Sequence, residues 1–411
     1  MIVNPILKRV ELLLQQDRYK EAEEMVKNYL DDDPSSEYGR YLLAYILFYK
    51  GDARGAFQIA EQLREENPSN LAYLELMAEI NIKEDEYEAA DEKIEILINE
   101  DPEDTRYLSM QARSYFAQRR YDSALQYANL TLENDPEDLT ALNLKSTISG
   151  ILGHKEVALN TIEEALESDP ENPYTIANHG QQLLAQGKVN EALERFSHAL
   201  SLNPTNEYAQ YGMQQGLKSK FFLYRLFMKY YGLMARLTAN GSWAFVIGAY
   251  VCYRAILYLS KTMPFLLPLV YVIMAFFILS WVINPLMNLY LMTNKYGRHL
   301  LDNNEKTMAK LTGGALVLAI ISFSIYFTLD LSFYLMYGIF FVAMMIPLGT
   351  FLLPYRDEQK NKLKYFTIAL GVLGIASLAI SDLLNIALIG IFIYQFYFNS
   401  IAISSSARKM N

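Results

Sequence analysis

The chain has 411 residues with 46 acidic and 36 basic side chains, a formal net charge of −10, and length for two or three domains. The charge is unevenly placed. Residues 1–217 hold 40 of the acidic and 19 of the basic residues, and residues 218–411 hold 6 and 17. An acidic first half excludes a nucleic-acid partner, which needs a positive footprint. A single cysteine, Cys252, excludes an internal disulfide and cysteine-based zinc or iron–sulfur spacing.

The opening stretch MIVNPILKRVELLLQQ lacks the order of a basic region, an apolar core and a small-residue cleavage site, so it reads as mature sequence. A repeat then dominates. Pro34, Pro68, Pro102, Pro136, Pro170 and Pro204 stand 34 residues apart. Ala22, Ala56, Ala90, Ala124, Ala158 and Ala192 follow the same period, and so do Ala44, Ala78, Ala112, Ser146 and Gly180. Between prolines the apolar residues recur at helical spacing in two runs. Short turns at GD (51–52), RRYD (119–122), GHKE (153–156) and GKVN (187–190) separate them. Each repeat is thus a predicted helix hairpin, A then B. The alanines mark close crossings, and proline ends helix B because it lacks an N–H and disfavours helix in the residue before it. One hairpin cannot bury its apolar face alone, but a stack can. Tyr38, Tyr41, Tyr45 and Tyr49 share one helix face by their three- and four-residue spacing.

The 34-residue period, the small residue in helix A, the alanine in helix B and the closing proline resemble the tetratricopeptide repeat (TPR) family over residues 3–217. The early helix A position holds Leu74, Leu108, Leu142 and Ile176 where the family often has tryptophan. A seventh helix A begins near Glu207. The resemblance implies a superhelix lined by helices A that binds a protein or peptide. Its inward positions fall on Tyr38, Tyr41, Tyr45, Phe48 and Tyr49, then Glu75 and Glu79, Arg106 and Arg113, and Asn143. Later ones are Tyr174, Asn178, Gln181, Tyr208, Tyr211 and Gln215. The family's lysine–asparagine–arginine clamp for a free carboxyl terminus is not met. Arg106 and Arg113 remain as readers of an acidic ligand, or else they pair with Glu75 and Glu79 one unit away.

From Lys218 the text turns basic and apolar. Lys218, Arg225, Lys229 and Arg236 are spaced seven, four and seven, which on one helix makes a basic stripe. Residues 218–242 are therefore expected to lie against anionic lipid headgroups. A membrane domain, 243–411, is expected to follow. It has about six predicted spans, near 243–260, 264–288, 311–329, 331–353, 365–381 and 383–403. The joints alternate, with fifteen basic residues toward one side and only Lys261 toward the other. That bias puts the repeats and both termini in the cytoplasm. Short outer joints fit a bacterial inner membrane and leave a eukaryotic organelle membrane open. Arg254 lies inside the first span, and Asp330 and Asp382 at hairpin tips are the outer acids it could meet.

No HExxH, GxxxxGK[ST] or GxSxG signature occurs. His299, Asp302 and Glu305 lie three residues apart in a loop, which is equally explained as a solvated link. Neither cofactor nor metal is expected, and no enzyme chemistry. The expected fold is all-α, a TPR-like solenoid followed by a transmembrane bundle. The expected function is a membrane-anchored scaffold for a cytoplasmic protein or peptide, with a membrane-protein partner for the spans. The alternative is a transporter or membrane enzyme with a regulatory repeat domain.

Overall fold

A computed structural model describes residues 4–235, 239–353 and 357–408. The described residues are helical throughout, with short turns and no strand. Six hairpins come first: α1 (Pro5–Gln15) with α2 (Tyr19–Asp32), α3 (Glu37–Lys50) with α4 (Ala53–Glu66), and α5 (Leu71–Lys83) with α6 (Tyr87–Glu100). Then come α7 (Thr105–Ala117) with α8 (Tyr121–Asn134), α9 (Leu139–Leu152) with α10 (Lys155–Ser168), and α11 (Pro173–Ala185) with α12 (Val189–Leu202). Two more helices follow, α13 (Glu207–Lys218) and α14 (Phe222–Ala235).

The alanine ruler sits where close packing requires it. Ala22, Ala56, Ala90, Ala124, Ala158 and Ala192 are all 0% exposed. Their helix A counterparts Ala44, Ala78, Ala112 and Ser146 are fully buried too. Ser146 replaces a methyl with a hydroxyl and satisfies it by donating to the Ala158 carbonyl at 2.7 Å. At Gly180 the space that a Cβ would take is filled by the Phe196 ring.

Two further 34-residue series are defined by the structure. The residue two after each proline caps the next helix A. Ser36, Asn70, Asp104, Asp138, Asn172 and Asn206 each accept a backbone N–H from the first turn. The hairpin turns place Asp17, Gly51, Asp85, Arg119, Gly153 and Gly187 at positive φ. Glycine carries no penalty there, whereas Asp and Arg are strained.

The chain divides into two compact units, Met1–Asn178 and His179–Asn411. The division falls inside α11, whereas the sequence expectation draws its boundary at 217. The later part of α11, with α12 and α13, falls in the second unit. There Leu217 of α13 packs in one cluster with Leu291 and Leu301.

The second unit continues with α15 (Ala239–Leu259), α16 (Leu267–Thr293), α17 (Asn303–Leu329), α18 (Ser332–Thr350), α19 (Asp357–Ala376) and α20 (Asp382–Arg408). Among the described residues, four segments rather than six are long and apolar enough to cross a membrane: Pro264–Thr293, Asn303–Leu329, Ser332–Thr350 and Asp382–Ile401. α19 spends its first two turns on the charged run DEQKNKLK. Its remaining twelve residues extend only about 18 Å, against a hydrocarbon thickness of about 30 Å. In α15 the described apolar stretch is Ile247–Leu259, also short. The hairpin expected between 311–329 and 331–353 is present. Asp330 adopts φ 52°, ends α17, and lets α18 fold back against it.

The basic stripe is not continuous. α13 ends at Lys218 and α14 starts at Phe222, so the spacing does not carry one face across the break. Lys218 is 3% exposed and turned inward, while Arg225 and Lys229 are exposed on α14. Arg236 lies outside the described residues. α14 buries Tyr224 and Phe227 against Ile283 of α16 and leaves Phe222, Leu223 and Leu226 exposed.

Candidate partner-binding site

Helix α3 carries a ladder of tyrosine rings. Tyr38 and Tyr41 stack with centroids 6.3 Å apart, Tyr41 and Tyr45 lie at 6.5 Å, and Tyr45 and Tyr49 at 4.7 Å. Neighbouring repeats extend it. Tyr19 of α2 stacks on Tyr49 at 5.4 Å, and Tyr73 of α5 meets Tyr41 at 5.8 Å. The outer members Tyr38 and Tyr49 are 42% and 47% exposed. Tyr41 and Tyr45 are half-buried and pack against the core that contains Phe48, which is itself buried and so not a groove residue. Tyr38 donates to Glu11, and Tyr73 to Glu37. Burial raises the hydroxyl pKa of Tyr38, Tyr41 and Tyr45 above the usual phenol value, so all three remain neutral donors near neutrality.

The polar residues beside the ladder are committed to one another. Arg106 lies 3.6 Å from Glu75 and 2.6 Å from Asp104, and Arg113 pairs with Glu79. The two arginines therefore do not present unopposed charge to an acidic ligand. Burial pushes the Glu75 carboxyl up despite the nearby Arg106.

Asn143 and Asn178 were expected on the inward face and are not there. They are 4% and 0% exposed. Asn178 donates to the Asn143 carbonyl and to its Oδ1, both at 3.0 Å, and Asn143 donates to Thr175 at 2.9 Å. This network joins α9 to α11 and is a structural seam between repeats. Tyr174 is 48% exposed and Gln181 half-buried.

In the second unit, Arg254 is exposed and makes no ion pair with Asp330 or Asp382, so the expected tie between spans is absent. Asp330 instead caps α17, and Asp382 opens α20. No group of three metal-ligating side chains occurs among the described residues. Asp302 and Glu305 form a capping box at the start of α17, and His299 accepts from Arg298 Nε at 3.1 Å.

A buried polar cluster went unseen in the sequence. Gln214 of α13 donates to both carboxylate oxygens of Glu305 at 3.2 Å. Asn288 of α16 reaches the same carboxylate at 3.5 Å, and its own Oδ1 is buried without a partner. Lys218 is held down to about 8 by burial, with Glu305 opposing the shift. Of these four residues only Asn288 stands out in the sequence, as a polar side chain in an apolar run.

Comparison with known proteins bears on the first unit. Residues 15–97 match the family model described as anaphase-promoting complex, cyclosome, subunit 3, and residues 77–138 match the tetratricopeptide repeat model. No curated protein matches the chain in sequence. Among solved structures, a thermophilic TPR protein of Thermus thermophilus is 19% identical, with 44% of this chain and 99% of that one covered and a TM-score of 0.41. A tetratricopeptide repeat protein of Parabacteroides merdae is 15% identical, with 54% and 88% covered and a TM-score of 0.42. Residues 15–138 are a tetratricopeptide-repeat segment.

Proposed function

We propose that the protein is a membrane-anchored scaffold that holds a cytoplasmic protein or peptide against the tyrosine ladder of α3. The observation that carries this reading is the ladder itself. Six rings from three consecutive repeats form one chain of contacts, of which Tyr38 and Tyr49 are exposed. Tyrosine supplies rigid amphipathic contact area at low entropy cost, which is why it is enriched at binding hot spots. The neighbouring arginines and Glu75 and Glu79 are already paired with one another, and Glu11 accepts from Tyr38. That environment leaves no unopposed cation for an acidic segment and favours an apolar one.

Anchoring is supported by the four long apolar helices and by the basic residues that gather at alternate joints. The same bias supports cytoplasmic repeats. No reaction is assigned to either unit.

Tyr38 and Tyr49 are the informative pair because they are exposed, whereas Tyr41 and Tyr45 also support the core. The test is affinity capture with the full chain in detergent, comparing wild type with the double variant Tyr38→Ala, Tyr49→Ala. Capture of the partner should fall by about tenfold or more while the melting temperature stays near that of wild type. A stable double variant that captures as much partner as wild type would rule the ladder out.

A further inference from the structure

Helices α17, α18 and α19 flank a partly open crevice of about 620 Å³ that packing leaves unfilled. Its floor is aromatic, with Tyr337, Phe340 and Phe341 of α18. Its walls meet at glycines, Gly314 on α17 and Gly371 on α19. The glycines of this region differ. A Cβ at Gly338 would strike Phe323, and one at Gly374 would strike Phe340. At Gly314 and Gly371 a Cβ would meet nothing within 4 Å. Those two positions hold space open.

The lining is almost wholly apolar, and two of its three hydroxyls, those of Tyr337 and Ser322, are already occupied. Tyr337 bonds with Ser377 at 2.7 Å, and Ser322 donates to the Leu318 carbonyl at 2.8 Å. A polar solute would find few free partners there. The single charge is Lys310, exposed at one end and without an ion pair among the described residues.

Size narrows the occupant. Lys310 to Ser322 on α17 spans about 18 Å, and Phe333 to Leu348 on α18 about 22 Å. One leaflet of hydrocarbon is about 15 Å deep. A methylene takes about the room of a water molecule, ~30 Å³, so a sixteen-carbon chain needs roughly 480 Å³. The space accommodates a hydrocarbon chain lying along it.

We propose that this crevice binds one acyl chain of an anionic phospholipid, with the headgroup phosphate at Lys310. The inference rests on the membrane reading above. It adds a specific lipid site in the bundle, distinct from any headgroup contact of α14.

The test uses the full chain. Resistance of the membrane-bound protein to carbonate extraction checks the membrane reading by itself. Native mass spectrometry in detergent, with phosphatidylglycerol or phosphatidylcholine added, then reads the site. Wild type should retain one phosphatidylglycerol about fivefold better than phosphatidylcholine, the worth of one lysine near an anionic lipid. Lys310→Gln should erase that preference. The double variant Gly314→Leu, Gly371→Leu should retain neither lipid, because each leucine enters open space. If the protein resists extraction yet Lys310→Gln keeps the full preference, or the leucine variant carries as much lipid as wild type, the site is wrong while anchoring stands. A leucine variant that loses lipid only by dimerising would equally overturn it.

Discussion

His179 shows how burial sets the behaviour of a single residue. It is 6% exposed, with Nδ1 buried and unpartnered. Burial, then the cations of Arg195 and Lys188 working against Glu191, lower its pKa from 6.5 to about 4. The folded chain therefore holds fewer protons at this ring than the unfolded chain between pH 6.5 and 4. Stability must fall as pH drops through that window, by at most roughly 3 kcal/mol. Above pH 6.5 the ring is neutral in both states and contributes no slope. Thermal unfolding of the full chain between pH 7.5 and 4.5 should show a loss that His179→Gln removes. Equal slopes for the two proteins would mean that the ring is not held neutral. Asn143 and Asn178 teach a related lesson. Each occupies a position that family geometry turns inward, yet the two bond each other from helices 35 residues apart. Nothing in one sequence marks that pairing, because either side chain alone is compatible with a solvated groove.

The elements divide by how strictly their residues repeat. Proline and alanine recur with nearly fixed identity, so hairpins, crossings and solenoid class were legible. The cap series was not, because Ser, Asn and Asp serve the same bond and share no single letter. The turn series was half legible: glycine marks it at 51, 153 and 187, whereas Asp17, Asp85 and Arg119 adopt the same positive φ without announcing it. Among the described residues four spans rather than six qualify, and for another reason. Crossing needs an apolar length free of charge, and α19 lacks it. The turn series carries a prediction. Arg119 sits at φ 61°, where an L side chain costs about 1–2 kcal/mol. Glycine returns part of that gain through its freedom in the unfolded chain, about 0.5–1 kcal/mol. Arg119→Gly should therefore raise stability by about 0.5–1 kcal/mol, and Gly153→Ala should lower it by a similar amount. Urea midpoints followed by circular dichroism would show both shifts, and a destabilised Arg119→Gly would show that its side chain does work that the turn geometry does not reveal.

At the scale of the whole molecule, the C-terminal unit takes in the final helix of the repeat array. α13 reaches the helices of the bundle through Gln214, which donates to Glu305 of α17 beside Asn288 of α16, and the buried Lys218 feels the charge of that carboxylate. The seven–four–seven spacing made Lys218 one of four surface cations, and the helix break at 219–221 is what removed it from that set. Its new setting has an asymmetric energetic consequence. A lysine lowered from 10.5 to about 8 is, at neutral pH, a charge held at a net penalty of roughly 3 kcal/mol. Glu305 by contrast keeps donors from Gln214, Asn288 and the Asp302 backbone N–H. Lys218→Met should therefore melt at or above wild type at pH 7, because it removes the penalty and leaves the carboxylate bonded. Glu305→Ala should melt well below, because it strips the partner from a buried cation and frees the start of α17. The pH dependence follows with a definite sign. Between pH 8 and 10.5 the unfolded lysine is still charged while the folded one is neutral, so stability rises with pH in that window and is flat for this group below it. Lys218→Met should lack the rise. Melting of wild type and both variants in detergent from pH 7 to 10 tests the set. A Lys218→Met protein that melts as low as Glu305→Ala would mean that the ammonium stabilises the join through a contact stronger than its burial costs.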